Sequence, residues 1–263
     1  MSKSRQSDSG CPKLPSPLTA LSWDFPHGHV IPDHFHQEDQ LVYACRGVMT
    51  VRTGDGTWVV PAQRAVWIPA RTRHSIVMAG AVSMRTLYLR TGLVRSLPRN
   101  CCVVNISPLL QELILHACHF RNLRRRSKIH AHLIDFIVDQ LHTAKAIPLQ
   151  LPIPSDPRAA RVAALLQNDV SYAGALRRVC KEVGASKRTI ERLFQQETHL
   201  SLGKWRQQLR LMRSLQLLAA GEKITHAALE AGYSTPSAFI AMFRRALGVT
   251  PGRYFATAAH GRG

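Results

Sequence analysis

ALRRVCKEVGASKRTIERLFQQ at 175–196 and ITHAALEAGYSTPSAFIAMFRRAL at 224–247 are two versions of one pattern. Each gives a short amphipathic helix, a turn centred on glycine (Gly184, Gly232), and a second helix ending in aromatic and basic residues. That is a helix-turn-helix, in which one helix crosses the phosphates and the next enters the major groove. Two copies joined by a long amphipathic stretch point to a DNA-binding protein.

The joining stretch, LGKWRQQLRLMRSLQLLAA at 202–220, puts Leu209, Met212, Leu215 and Leu218 on one face, and Gly221 is placed to end it. In the first copy the reading helix spans Ser186 to Gln195. Ile190, Leu193 and Phe194 face inward, and Lys187, Arg188, Glu191 and Arg192 share the outer face. Arginine takes guanine O6 and N7 together, while lysine or Thr189 reaches phosphate. In the second copy Ser234 or Thr235 caps the helix and Pro236 opens it. Phe239, Phe243 and Leu247 face inward; Ser237, Ile240, Ala241, Arg244 and Arg245 face out. This smaller, more apolar face suits thymine methyls and phosphates, so the first helix is expected to carry more of the specificity.

The chain has 263 residues, long enough for two domains each with its own core, and a formal charge of +19. Such an excess favours a polyanionic partner through counterion release. It does not locate the DNA site: residues 1–154 carry 18 Lys+Arg against 9 Asp+Glu, and 155–263 carry 17 against 7. The six cysteines form no CxxC pair or zinc-ligand spacing and read as reduced structural thiols. No apolar run approaches the ~20 residues that span a membrane. The polar, proline-containing N-terminus does not read as a signal peptide, so a cytoplasmic protein is expected.

Upstream, residues 1–22 read as disordered. From 23 to 92, β-branched and aromatic runs (LVYACRGVMTVRT, GTWVVPAQRAVWIPA, SIVMAGAVSMRTLYLR) alternate with turn residues, and Asp55-Gly56 reads as a hairpin turn. Several short strands predict a small barrel, with Trp58 and Trp67 in its core. At 93–146 the period changes to that of helices, over Ser107–His119 with Ser107 as cap and Pro108 first, and over Ile129–His142. RNLRRRSK at 121–128 reads as a solvated loop. The stretch IPLQLPIPSDP at 147–157 forms a stiff proline connector and the domain boundary. A helix from Asp156 to Asp169 then opens the C-terminal domain, 158–258. The fold class is thus two-domain α+β: an N-terminal barrel with a helical hairpin, then an all-α double helix-turn-helix domain.

From about Asp156 to Phe255 the chain resembles the C-terminal domain of AraC/XylS-family transcription regulators, on GASKRTIERLFQQET, the joining helix and, most closely, AGYSTPSAFIAMFRRALGVTPGRYF. The resemblance implies seven helices, two reading helices about one DNA turn apart, and base-facing positions at Arg188, Arg192, Ser237 and Ala241. It also implies promoter DNA as partner. Two departures stand out: His199 where such proteins usually have glycine, and Cys180 for a small alanine.

The β-rich region carries a second constellation, His34-x-His36-x-x-x-Gln40, then Gly47, then Pro69-x-x-x-x-His74. His34 and His36, two apart on a strand, point the same way, and His74 from a later strand completes the set. Over roughly 30–90 this resembles the two short motifs of cupin barrels, in which two His, one Glu and a third His hold a divalent metal. Gln40 stands where the Glu would be, and a neutral amide oxygen binds a divalent cation more weakly than a carboxylate. Three readings stay open: a metal-free effector site at His34, His36, Gln40 and His74; a metal-bearing sensor using the three histidines; and purely structural histidines. A cupin-type metalloenzyme or metal sensor with a DNA-binding tail is the alternative class. It is disfavoured by Gln40 and by the lack of a Ser-His-Asp, Cys-His or phosphate-loop arrangement. The expected protein is therefore a non-enzymatic regulator sensing a small molecule, with RNA polymerase and a second copy of itself as further partners.

Overall fold

The computed structural model describes residues 16–147, 149–168 and 176–259. Its N-terminal part is an antiparallel sheet built on two long strands, β3 (Asp39–Thr53) and β6 (His74–Leu89), paired along most of their length. Bulges around Arg46 break the register, so Val42 and Ala44 before them and Met49 and Val51 after them enter the same core. On one half of this ribbon β1 (Leu18–Phe25) flanks β6 and β5 (Arg64–Ile68) flanks β3. On the other half β2 (Val30–His34) flanks β6 and β4 (Gly56–Pro61) flanks β3.

Helices α1 (Pro108–Phe120) and α2 (Lys128–His142) cover one sheet face, burying Leu110, Ile114, Leu133, Ile134 and Ile137 against Leu18, Leu41, Leu87 and Leu89. The oxygens of Ser107 and Ser127 accept from Leu110 N and His130 N, satisfying amides that the helix starts leave bare. Trp58 and Trp67 are both buried, but on different sides. Trp58 lies in the core shared with the C-terminal helices. Trp67 lies under α1 and α2, its Nε1 donating to Pro98 O.

Four sequence-based expectations are corrected. Residues 18–22 are not disordered: Leu18 and Ala20 are fully buried in β1, where apolar alternation outweighs the neighbouring prolines. The helical region 93–146 also holds β7 (Cys102–Asn105), which pairs with β5, and β8 (Asn122–Leu123), which pairs with β1. The hairpin turn is Gly54-Asp55, because Gly56 already pairs with Thr53. A Cβ on Gly56 would stand 2.9 Å from Leu151 O, so its glycine serves close packing rather than a positive φ. The proline connector is not free-standing: β9 (Ala146–Ile147) pairs with β7, and β10 (Gln150–Pro152) with β4. Pro152 ends the short edge strand β10, where a missing amide costs little, and Pro157 opens the next helix.

The C-terminal part contains seven helices among the described residues: α3 (Pro157–Asn168), α4 (Leu176–Glu182), α5 (Lys187–Thr198), α6 (Leu202–Ala219), α7 (Ile224–Glu230), α8 (Pro236–Leu247) and α9 (Pro251–Ala259). The expected end of the first of these, Asp169, lies outside the described residues. Its core is not independent of the sheet. One cluster runs from Val42, Trp58 and Ile76 through Trp205 and Leu209 to Phe239 and Phe243. Four polar or close contacts fasten the two parts. Trp205 Nε1 donates to Pro152 O at 2.9 Å, Tyr254 OH to Ala62 O at 2.9 Å, and Gln216 Nε2 to Thr50 Oγ1 at 2.7 Å. Gly80, at φ +72°, lies so close to the Ala219 carbonyl that a Cβ would collide with it.

Candidate functional site

The two helix-turn-helix copies share their turn geometry. After α4, Gly184 at φ +65° lets Ala185 N donate to Cys180 O; after α7, Gly232 at φ +77° lets Tyr233 N donate to Ala228 O. Both turns need a left-handed residue that glycine adopts without strain. Cys180 is buried at the first of them and is accommodated.

Helix α5 is capped by Ser186, which accepts from Thr189 N, and buries Ile190, Leu193 and Phe194. Phe194 meets Trp205 of α6 edge-on at 5.3 Å. Lys187, Arg188, Glu191 and Arg192 are exposed, as expected, with Thr189 half-buried beside the cap. Lys187 Nζ lies 3.5 Å from Glu191, and Arg192 Nη1 donates to Gln196 Oε1. Such exposed pairs are worth at most about 1 kcal/mol, so both cations are readily redirected to DNA. The helix runs three residues past its expected end. His199 closes it at φ +58°, the left-handed conformation that glycine would take without strain.

In α8 the cap is Thr235, accepting from Ala238 N, with Pro236 first and Gly248 closing at φ +84°. Ser234, Ser237, Ala241, Arg244 and Arg245 are exposed. Ile240, expected on the outer face, is instead half-buried and packs against the core, and Met242 is buried beside Phe239 and Phe243. The sequence reading left out Met242, although its i,i+3 spacing from Phe239 puts it on the buried face. Between the copies, α6 carries Leu209, Met212 and Leu215 inward, with Leu218 half-buried on the same side. Its 18 residues measure about 27 Å at the helical rise.

The histidines converge, although β2 ends at His34 and His36 lies in the loop beyond it. His34 and His74 are cross-strand partners of β2 and β6. Ring centroids are 4.3 Å apart for His34 and His74, 4.8 Å for His34 and His36, and 5.6 Å for His36 and His74. One ligand atom from each lies within 4.8 Å of the others. His34 Nδ1 faces Pro32 O at 2.7 Å and His74 Nδ1 faces Thr72 O at 2.8 Å. A carbonyl only accepts, so both Nδ1 atoms carry a proton, which makes Nε2 the lone-pair atom of each ring in its neutral form. Burial, then the neighbouring rings of His34 and His74, pushes His36 down to about 3. Burial pushes His74 down to about 4, against the opposing Thr72 carbonyl. Both rings are therefore neutral at pH 7.

Gln40 is buried on the same sheet side as its cross-strand partners Ile68 and Tyr88, and the Tyr88 ring meets His36 at 4.8 Å. Gln40 Nε2 donates to Thr86 Oγ1, and Oε1 is buried without a hydrogen-bond partner. The acids nearby do not replace the cupin carboxylate. Asp39 accepts from Ala70 N and Gly92 N, and Asp33 pairs with Arg73. The residues present fit a metal held by three imidazoles, not the His-and-carboxylate set.

Sequence reading gave no sign of a cleft of about 550 Å³ between the sheet and α6. Arg52, Thr57 and Val77 line it from the sheet, and Leu209, Met212 and Arg213 from α6. Its residues are too far apart in sequence for any local pattern to join them.

Residues 17–202 match the family model described as the AraC-like ligand binding domain, and 179–257 match a helix-turn-helix domain model. The HTH-type transcriptional regulator NimR of Escherichia coli K12 is 35% identical over 225 residues, spanning 86% of this chain and 82% of that protein. The thermoregulatory protein LcrF of Yersinia pestis is 26% identical, covering 81% and 79% respectively. ToxT of Vibrio cholerae O395 superposes over 94% of this chain and 99% of its own at 12% identity, with a TM-score of 0.40. With a ligand-binding-domain match across most of its length and a helix-turn-helix match over the rest, this chain belongs to the AraC family of transcription regulators.

Proposed function

We infer that the protein binds promoter DNA by placing α5 and α8 in successive major grooves, and that a small molecule bound to the sheet domain adjusts this. The carrying observation is α6. It joins the two reading units, while its Gln216, its Ala219 carbonyl and its Trp205 all touch the sheet or its edge strand β10. A ligand that shifts the sheet by a fraction of an ångström shifts the helix that spaces the readers, which is the differential contact a coupled response requires. In this reading Arg188 and Arg192 supply base contacts, Lys187, Thr189, Arg244 and Arg245 supply phosphate contacts, and Ser234, Ser237 and Ala241 lie against the second groove. Glu191 shares the first reading face.

The effector site of this proposal is His34, His36, Gln40 and His74, where Nε2 of His36 and His74 and Oε1 of Gln40 are buried without a hydrogen-bond partner. The junction cleft supports a second reading, in which the effector sits directly against α6. Exposed Leu109 on α1 and Ile129 and Phe136 on α2 support a homodimer through these helices. Promoter-bound protein is then placed to meet RNA polymerase. In a reporter assay, His36→Ala with His74→Ala should abolish the effector response and spare DNA binding. A response that survives this pair and is lost in Arg213→Ala would move the effector to the cleft.

A further inference from the structure

We propose that His34, His36 and His74 bind one borderline divalent transition metal of the zinc class through three neutral imidazoles, leaving at least one coordination position open. The inference deepens the sensor reading, since it specifies what the cluster takes up, but it does not require that DNA binding be effector-controlled.

Three observations carry it. Three donor atoms lie within 4.8 Å of one another, a triangle whose corners are about 2.8 Å from its centre against about 2.0–2.1 Å for a zinc–imidazole bond. Closing that difference takes less than about 1 Å per ring, within the reach of small side-chain rotations. Two rings are oriented from behind, because the Pro32 and Thr72 carbonyls fix the Nδ1 protons and turn Nε2 into the donor. The Nε2 atoms of His36 and His74 are buried without a hydrogen-bond partner, an arrangement that is costly unless something accepts their lone pairs.

The donor chemistry selects the ion. Imidazole nitrogen without a carboxylate disfavours magnesium and calcium and suits zinc, nickel, cobalt or copper. No cysteine joins the described cluster. Three neutral ligands leave the ion its full double positive charge, so the open position favours an anionic donor such as a carboxylate or hydroxide. The same ion would pin edge strand β2, which among the described residues pairs only with β6 and whose register breaks between Ile31 and His34. The turn entering β2 holds His27, whose Nδ1 accepts from Gly80 N where Gly80 meets Ala219 of α6. The cluster is thus one short strand away from the domain junction.

The test uses the full chain, stripped with chelator, then equilibrated with zinc at neutral pH and desalted. About one zinc per chain should remain, with affinity falling on the order of a hundredfold in His36→Gln with His74→Gln, and unchanged in a His116→Gln, His119→Gln control on α1. Cobalt in place of zinc should give the intense visible bands of a four-coordinate ion rather than the faint ones of the hydrated ion. If the buried variants fail to fold, His34→Ala, which removes a half-buried ring, replaces them. Zinc retained equally by the wild type and the cluster variants, no zinc retained at all, or a hydrated-type cobalt spectrum would each overturn the proposal. A positive result with no footprint on any promoter would leave the metal site standing and sink the regulatory reading instead.

Discussion

Lowering the pH of chelator-treated protein from 7 to 5 should cost about 2 kcal/mol of stability through His74 alone. His74 is fully buried and held at about 4 in the folded chain, against an unperturbed value near 6.5. Between those values the unfolded chain holds a proton that the folded chain refuses. The unfolded state therefore binds more protons, and stability is full above pH 6.5 and lost as pH falls towards 4. Each pH unit inside that window is worth about 1.4 kcal/mol, and the last half unit above it adds little. His36, held at about 3, acts in the same direction, but the rings repel once charged, so His74 alone is counted. Urea unfolding followed through tryptophan fluorescence reports on this region because Trp58 and Trp67 are buried in the sheet domain. The experiment compares wild type with His74→Gln at pH 7, 6 and 5. Histidines outside the cluster contribute equally to both proteins, so the gap between the two curves should change by up to about 2 kcal/mol towards pH 5. Parallel curves would refute the assignment of a neutral, buried His74.

Three further outcomes follow from the contacts. Trp205→Ala should destabilise the protein by about 3–5 kcal/mol in thermal or urea melts, since it removes a fully buried ring that packs on Phe194 and donates to Pro152 O. Arg192→Ala should cost about 1–3 kcal/mol on a specific site and relax base preference there in competition gel shifts, whereas Arg244→Ala should weaken all sequences alike. Gly80→Val should open the junction at Ala219, shown by faster proteolysis in 147–157 with DNA affinity retained; unchanged protection would mean that the contact does not hold the two parts together.

Local chemistry made the helical half legible. Ser186 and Thr235 cap the reading helices, Pro236 opens one, and Gly184 and Gly232 supply turns that need a positive φ. The approach of His34 to His74 was also foreseeable, because its elements are a strand pattern and a spacing, though His36 arrives from a loop. Long-range pairing was not legible. Nothing in Gln150–Pro152 announces that β10 joins β4, because proline suppresses the strand signal at the very edge where it is tolerated. Ile240 is expected outward, yet it stands seven residues before Leu247, about 20° away around the helix, and packs on the same core. The junction cleft joins Arg52 to Arg213, a pairing that only the tertiary fold creates.

The central claim is that two helix-turn-helix units, spaced by α6, read adjacent major grooves. Footprinting on the DNA upstream of the gene and on neighbouring promoters, repeated across a salt titration, tests it most directly. A protected site of about two helical turns that outlasts random DNA at physiological salt is the expected result. Uniform weak protection that disappears as salt rises would contradict it, leaving only the attraction of a strongly basic surface for phosphate.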